Sequence, residues 1–128
     1  MNAIIATRFE QHRRLLIENT AVSDFIIKKQ RILSDRGHIR IKATLIDGGL
    51  LEISEHIIMD NGSSAKRRYS FHWQNANNQL IRRWDNADHD HALPHAPHHI
   101  HHTDGTVAGN PELPTLTAVL AAIESEIG

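Results

Sequence analysis

The pattern of hydrophobic and polar positions predicts a helix near each end of the chain. Residues 6–19 place Phe9 and Leu16 near one helical stripe with charged side chains beside it, a pattern typical of an amphipathic helix. Toward the other end, Pro114 and Thr115 stand where a helix begins, and an apolar stripe follows them almost to the last residue. We therefore expect one helix at each end, with the remaining elements between them.

Between these helices the pattern changes to the period of two that is typical of β-strands. Residues 38–46 alternate apolar and polar side chains, as expected for a sheet with one wet face. The segment Asp47-Gly48-Gly49 follows at once and is a strong hairpin signal. Glu55 falls among the apolar positions of the next strand, which indicates either a bulge or a functional carboxylate. The five predicted strands are residues 24–33, 38–46, 50–59, 67–74 and 79–85.

Consecutive strands joined by short turns predict a fold of the α+β class. Such strands form an antiparallel meander, and two amphipathic helices can cover its apolar face. We expect a single domain, residues 1–128, in which a meander of about five strands carries the N-terminal and the C-terminal helix on one face. The segment at about 86–113 is predicted to be a long histidine-rich loop, and loops of this length are usually functional or disordered.

Composition excludes several classes of protein. The hydrophobic fraction, 40%, is too high for a disordered polar chain, and no apolar run reaches the roughly 18 residues that cross a bilayer. The chain has no cysteine, so it has neither a disulfide framework nor a thiolate metal site. The first residues lack the order of a signal peptide. We therefore expect a soluble, cytoplasmic protein with no membrane partner.

The net charge of −1 hides two segments of opposite sign. Residues 1–83 hold all 14 Lys and Arg against eight acidic residues, a net charge of +6, whereas residues 84–128 hold seven acidic residues and no Lys or Arg, a net charge of −7. This asymmetry indicates either a nucleic-acid partner or a basic sheet covered by an acidic tail. In the first case, Lys28, Arg40 and Lys42 on the polar sheet face could follow a phosphate backbone.

Seven of the 11 histidines lie in the predicted loop. Neutral imidazole is a common protein ligand of zinc, copper and nickel. The spacing His98-x-x-His101 could bring two rings to one ion, as could His89-x-His91, with an Asp side chain as an oxygen ligand. A divalent ion, zinc or nickel, is therefore one candidate occupant of this segment, although the chain contains no HExxH sequence.

The same histidines could instead act as acid and base. Cleavage of RNA requires a base for the 2′-hydroxyl proton, an acid for the departing 5′-oxygen and a cation for the phosphate. Histidine can take either proton role near neutral pH, and arginine supplies the cation. Arg82 and Arg83 precede the histidines on the fifth strand, and strand alternation points them to opposite faces. We expect only one of them to share a pocket with the loop.

Four short segments carry a resemblance to a known family. Residues 51–55 read Leu-Glu-Ile-Ser-Glu after an Asp-Gly turn, 69–73 read Tyr-Ser-Phe-His-Trp, 83–87 read Arg-Trp-Asp-Asn-Ala, and 97–101 read Pro-His-His-Ile-His. In this order, before a short C-terminal helix, they resemble the TumE-like toxins of bacterial and archaeal toxin–antitoxin pairs. The resemblance covers roughly residues 22–125, and its specific part is the combination of the last two segments.

The resemblance implies a small toxin made beside a DNA-binding antitoxin that neutralises it, with ribonuclease activity as the toxic effect. The motif residues that carry over to this chain are Glu55, Arg83, Asp85, Asn86, His89, His98, His99 and His101. The chain departs from the family at 88–90, where Asp-His-Asp stands in place of Pro-His-His, and it has extra histidines at 91, 95 and 102. These departures favour metal capture in this chain.

We therefore expect a toxin that cleaves RNA and requires no cofactor, with histidines of the 98–101 segment as acid and base. Asp85 would orient one imidazole by accepting a hydrogen bond from it. Arg83 would hold the phosphate, and Asn86 would hold the turn. The expected partners are the antitoxin and RNA.

Two alternatives remain open. The first is a metal-dependent hydrolase, with a metal site formed by His89, His91, His98 and His101. The second is a non-enzymatic module that binds an antitoxin or a nucleic acid through the histidine segment. In either case an edge strand could pair with a second copy of the chain to form a homodimer.

Overall fold

The structure, a computed structural model, describes residues 2–86, 98–109 and 114–127. Within these residues the predicted α+β class is confirmed, with two helices and one antiparallel sheet of seven strands. The helices are α1 (Ala3–Glu18) and α2 (Leu116–Ile127). The strands are β1 (Val22–Ile32), β2 (Arg36–Leu45), β3 (Leu50–Asp60), β4 (Ser63–Gln74), β5 (Leu80–Asp85), β6 (His99–His102) and β7 (Val107–Gly109).

Each strand pairs with its neighbours in the sequence, in the order β1 to β7, as predicted for a meander. The turn between β2 and β3 shows why the chain reverses there. Gly48 has a φ of 87°, and the Asp47 carboxylate accepts a hydrogen bond of 2.8 Å from the backbone N–H of Gly49. A glycine with positive φ beside an aspartate is what a tight hairpin turn requires.

The prediction of about five strands falls short by two, because β6 and β7 lie in the segment predicted as a loop. Both strands are short, and three of the four residues of β6 are histidines, so neither strand shows an alternation of apolar side chains. They extend the sheet because β5 would otherwise present an unpaired edge, which β6 covers. The other parts of the predicted loop, 87–97 and 110–113, lie outside the described residues.

One face of the sheet, termed the helix face, forms the hydrophobic core under both helices, as predicted. Ile5, Phe9 and Leu16 of α1 and Val119 and Ile123 of α2 are almost completely buried. The central strands contribute alternate residues to the same core, among them Ile39, Ile41, Ala43, Leu51, Ile53, Tyr69, Phe71 and Trp73. Because side chains alternate along a strand, the polar residues between these positions point to the other side of the sheet.

That other side, termed the outer face, carries neither of the two described helices. The C-terminal helix is held to the helix face by polar contacts as well as by packing. The side chains of Asn19 and Thr20 bond to Glu124, and Arg82 Nη2 donates to Glu126 Oε1 at 2.9 Å. Neither described helix is long and apolar enough to cross a membrane.

The close approach of α1 to β2 generates a prediction at Gly37. A Cβ atom at this position would lie 2.5 Å from Ile5 Cγ2 and 3.2 Å from Phe9 Cε2. Without such crowding, alanine in a strand is more stable than glycine. A loss of stability in the alanine variant would therefore reflect the close packing of α1 on β2. We expect Gly37→Ala to lower the free energy of unfolding by about 1–3 kcal/mol, as overpacked cores do.

Denaturant unfolding followed by circular dichroism measures this effect. Thr44→Ala, on the exposed outer side of the same strand, is the control and should change stability by less than about 1 kcal/mol. A Gly37→Ala protein as stable as the wild type would contradict the packing of α1 on β2.

Candidate active site

The pairing of the strands arranges the outer face into rows of side chains. Directly paired residues of antiparallel strands lie on the same face, with their Cβ atoms about 4.5–5.5 Å apart. The upper row is Lys42, Glu52, His72, Arg83 and His101. The middle row is Lys29, Arg40, Ser54, Ser70, Asp85 and His99. The lower row is Arg31, His38, His56 and Arg68.

A cavity of about 430 Å³, termed the sheet trough, lies over these rows. Ser54 and Ser70 occupy the centre of the middle row, and their small side chains leave space between larger neighbours on both sides. Histidine and arginine side chains of the upper and lower rows form its walls, His72 and Arg83 on one side and His56 on the other. The trough is therefore a polar and mostly basic concavity on the outer face of the sheet.

Asp85 connects the side chains at one end of the trough. Its side chain is 5% exposed, and its Oδ2 atom accepts a hydrogen bond of 2.9 Å from Arg83 Nε. His101 Nε2 lies 3.1 Å from the same oxygen, and His99 Nδ1 lies 3.9 Å from Oδ1. On the far side of Arg83, its Nη1 atom lies 3.3 Å from His72 Nδ1. The carboxylate thus accepts a hydrogen bond from one guanidinium and lies close to two imidazoles.

The structure brings Arg83, Asp85, His99 and His101 together, four of the residues that the sequence singles out. As predicted, Arg82 points to the opposite face, where its guanidinium lies 5.7 Å from the centre of the Trp73 ring and bonds to α2. Strand alternation, the period used in the prediction, explains this separation.

Two other predicted site residues lie on the helix side of the sheet. His98 Nδ1 is 2.8 Å from Tyr69 Oη, and the two rings are stacked with centroids 5.8 Å apart. The Asn86 amide accepts from the backbone N–H of Tyr69 and donates to the carbonyl of Arg67 at 2.7 Å. Burial raises the pKa of Tyr69 to about 12 and lowers the pKa of His98. Asn86 therefore ties the end of β5 to β4, and His98 does not reach the trough.

The predicted metal pair of His98 and His101 is divided between the two faces of the sheet. His98 contacts Tyr69 on the helix side, whereas His101 contacts Asp85 on the outer side. Residues three apart in an extended segment point in opposite directions, which the prediction of a loop did not take into account. The described ranges contain no group of three His, Asp or Glu side chains placed to hold an ion. The other two predicted ligands, His89 and His91, lie outside those ranges.

Glu55 is a buried carboxylate that faces α1, and the register of β3 is regular around it, so the predicted bulge is absent there. Its side chain is 0% exposed, and it accepts hydrogen bonds from Arg8 Nε at 2.6 Å and Arg67 Nε at 2.7 Å. His12 Nε2 lies 3.1 Å from the same group. These four residues, termed the Glu55 cluster, lie on the helix side and not at the trough.

The electrostatics of the Glu55 cluster show that the carboxylate stays ionised. Burial alone would raise the pKa of Glu55, but hydrogen bonds from His12 and Arg8 and the charge of Arg67 outweigh burial and hold the pKa well below its usual range. A buried carboxylate with this many donors stabilises the position of α1 on the sheet, because removal of a donor leaves a charge without compensation.

Two histidines of the outer face, His38 and His72, and the α1 partners of Glu55 were not predicted as site residues, whereas the sequence of β3 allowed a catalytic group that contains His56 and Glu55. His38 and His56 are directly paired, and their ring centroids lie 3.7 Å apart. Burial and neighbouring positive charges lower both pKa values, that of His38 to about 4. A signal existed for His12, since it stands in the buried stripe of α1 with Ile5, Phe9 and Leu16.

Comparison with models of known protein families gives a match. A family model described as Toxin TumE matches residues 12–128. No curated protein matches the chain, and no solved structure does. The match includes both the trough residues and the Glu55 cluster except for Arg8, which lies just before it.

The Glu55 cluster generates a prediction about pH. Arg8 holds the pKa of Glu55 low in the folded protein, so its contribution to stability is present above the ordinary glutamate pKa of about 4.3 and is lost as the pH falls below it. We expect Arg8→Met to lower the free energy of unfolding by about 1–2 kcal/mol at pH 7, a modest value because Arg8 is 38% exposed. The difference from the wild type should shrink as the pH falls from about 4 toward the lowered pKa of Glu55 in the folded protein.

Urea unfolding at several pH values measures this difference. Arg14→Met is the matched control, because Arg14 is exposed on the same helix. The assignment fails if Arg14→Met costs as much as Arg8→Met, or if the deficit of Arg8→Met stays the same down to the lowest pH at which both proteins are folded.

Proposed function

The chain belongs to the TumE toxin family, whose model spans residues 12–128, and we propose that it acts by cleaving RNA at the sheet trough. Membership makes the protein the toxin component of a toxin–antitoxin pair, for which a cognate antitoxin is the expected partner. The observation that supports the reaction is that Arg83 and His101 both contact Asp85, which lines one end of the trough, and that His72 lies beside Arg83.

Cleavage of RNA by this route needs two proton transfers and no added co-reactant. The 2′-oxygen of a ribose attacks the adjacent phosphorus, and the bond from phosphorus to the 5′-oxygen of the next nucleotide breaks. A base takes the 2′ proton and an acid protonates the 5′-oxygen, so the products are a 2′,3′-cyclic phosphate and a 5′-hydroxyl. Positive groups must also offset the charge that develops on the phosphate.

His101 fits the role of the base. An ionised carboxylate only accepts hydrogen bonds, so Asp85 Oδ2, 3.1 Å from His101 Nε2, favours the tautomer with the proton on that nitrogen. In the neutral ring the lone pair then lies on Nδ1, which can take the 2′ proton. The imidazolium that forms is stabilised by the carboxylate that already contacts it.

Arg83 and His72 fit the remaining roles. Arg83 Nη1 can only donate, so His72 Nδ1, 3.3 Å away, accepts, and the proton of the neutral His72 ring lies on Nε2. We assign Arg83 as the partner of the phosphate and His72 as the acid in its protonated form. When Nδ1 binds a proton in place of the contact with Arg83, the imidazolium can protonate the 5′-oxygen. The bond from Arg83 Nε to Asp85 sets the orientation of the guanidinium before substrate binds. His99 is only 1% exposed, so we assign it a positioning role behind Asp85.

The charge of the outer face supports a polyanionic substrate. The three rows and the trough lining contain cations from β1 to β5 and two carboxylates, Glu52 and Asp85, of which Asp85 is already paired with Arg83. The cations are Lys28, Lys29, Arg31, Arg40, Lys42, Arg68 and Arg83. Phosphate contacts of this kind supply most of the affinity of a protein for a nucleic acid.

The proposal predicts separate effects at neighbouring histidines of β6. His101→Gln keeps a donor for Asp85 but cannot take a proton, and we expect it to lower the rate of RNA cleavage by about 10²–10⁴-fold. Arg83→Gln should lower the rate by about 10²–10³-fold. His102→Ala is the matched control, because His102 pairs with Arg82 and points to the helix side; it should cleave at the wild-type rate.

Single-turnover cleavage of a labelled RNA, together with the thermal midpoint of each variant, checks this prediction. Loss of activity in folded His102→Ala, or full activity in His101→Gln, would contradict the assignment. A chelator should leave the rate unchanged, whereas loss that zinc or nickel restores would support a metal-dependent hydrolase. A wild-type protein that binds RNA and the antitoxin but cleaves no RNA would be the non-enzymatic module.

A further inference from the structure

A second cavity, termed the distal pocket, lies beside the sheet trough on the outer face. Its volume is about 480 Å³. His38 and His56 line both cavities, so the directly paired histidines of β2 and β3 stand at the boundary between them. The distal pocket therefore continues the trough along the strands, away from Asp85.

The lining of the distal pocket has two chemical parts. Leu33 and Ile58 provide an apolar surface, and each is 40% exposed. Lys29, Arg31 and Arg36 provide positive charge around it; the guanidinium of Arg36 also lies 3.3 Å from the exposed carboxylate of Asp35, which a phosphate would have to replace. A ligand that matches this lining has a flat apolar part joined to an anion, and a nucleotide, with a base and a phosphate, has both.

We propose that the trough and the distal pocket form one binding track for single-stranded RNA, in which a base lies on Leu33 and Ile58 and its phosphate contacts Arg31 and Arg36. The inference rests on the proposed function for the class of substrate, and it adds a nucleotide subsite away from the reacting phosphate. His38 and His56 then lie between the two subsites.

The histidine pair suits a position along an RNA strand. Imidazole rings can stack on unpaired bases. Burial and the charges of Lys29, Arg40 and Arg68 lower the pKa values of the pair, so both rings are neutral near pH 7. Neutral rings do not offset the negative charge of the phosphates. The surrounding Lys and Arg side chains do so.

The dimensions favour a single strand over a duplex. From Lys42, in the upper row, to Arg36, at the distal pocket, β2 advances six residues, or about 20 Å at the rise of a strand. A single strand can place an unstacked base on an apolar surface along this length. In a duplex the bases are paired and stacked, and presenting one of them would cost the energy of flipping it out.

Binding of oligonucleotides that the protein cannot cleave tests the track. The probes are 2′-O-methyl RNAs of two, four and six nucleotides and a 12-base-pair duplex of the same chemistry, measured by fluorescence anisotropy at fixed salt. We expect the affinity to rise about tenfold or more from two to six nucleotides, and the duplex to bind more weakly than the six-nucleotide strand. Arg36→Gln and Ile58→Thr should weaken binding of the six-nucleotide probe several-fold and leave the dinucleotide unchanged.

Arg14→Gln, which removes an exposed cation of α1, is the matched control and should leave all affinities unchanged. The track is overturned if affinity is the same for two and six nucleotides, if Arg36→Gln and Ile58→Thr weaken all lengths equally, or if the duplex binds as tightly as the single strand. If binding depends on the length of the strand but the protein cleaves no RNA, the binding track is supported and the ribonuclease proposal is wrong. If the protein cleaves RNA but Arg36→Gln and Ile58→Thr bind the six-nucleotide probe as tightly as the wild type, the ribonuclease proposal is supported and the binding track is wrong.

Discussion

Residues that pair directly across neighbouring antiparallel strands point to the same face of the sheet. Both the hydrophobic core on the helix face and the candidate site on the outer face depend on this constraint. On the helix side it lines up the apolar residues that α1 and α2 cover. On the outer side it places His72, Arg83 and His101, from three different strands, in one row. A register shift of one residue in β6 would turn His101 toward the helix side and remove it from Asp85.

The two faces treat charge in different ways. On the helix side, two arginines and a histidine surround Glu55, so the charge there is compensated within a buried cluster that holds α1. Among the described residues of the three rows and the trough lining, cations exceed carboxylates, and Asp85 contacts Arg83 and His101. A buried charge that its neighbours compensate helps to hold the fold, whereas an excess of charge of one sign attracts a ligand of the opposite charge. This contrast is why the candidate site is placed on the outer face.

Local patterns were sufficient to predict both helices, the first five strands and the separation of Arg82 from Arg83. They failed where the structure depends on distant parts of the chain. β6 is mostly histidine and becomes a strand because the edge of β5 is available to it. The partners of Glu55 could not be assigned, because the contact with Arg8 depends on where α1 docks and spans 47 residues of sequence. His72 joins Arg83 only through the pairing of β4 with β5.

The opposite charges of the two halves of the chain raised the alternative of a basic sheet covered by an acidic tail. In the described residues the acidic side chains of α2 lie elsewhere: Glu124 bonds to Asn19 and Thr20, and Glu126 bonds to Arg82, all on the helix side. The cations of the outer face are therefore not neutralised by α2. A polyanion can approach them without displacing that helix, so binding costs no disruption of the hydrophobic core beneath it.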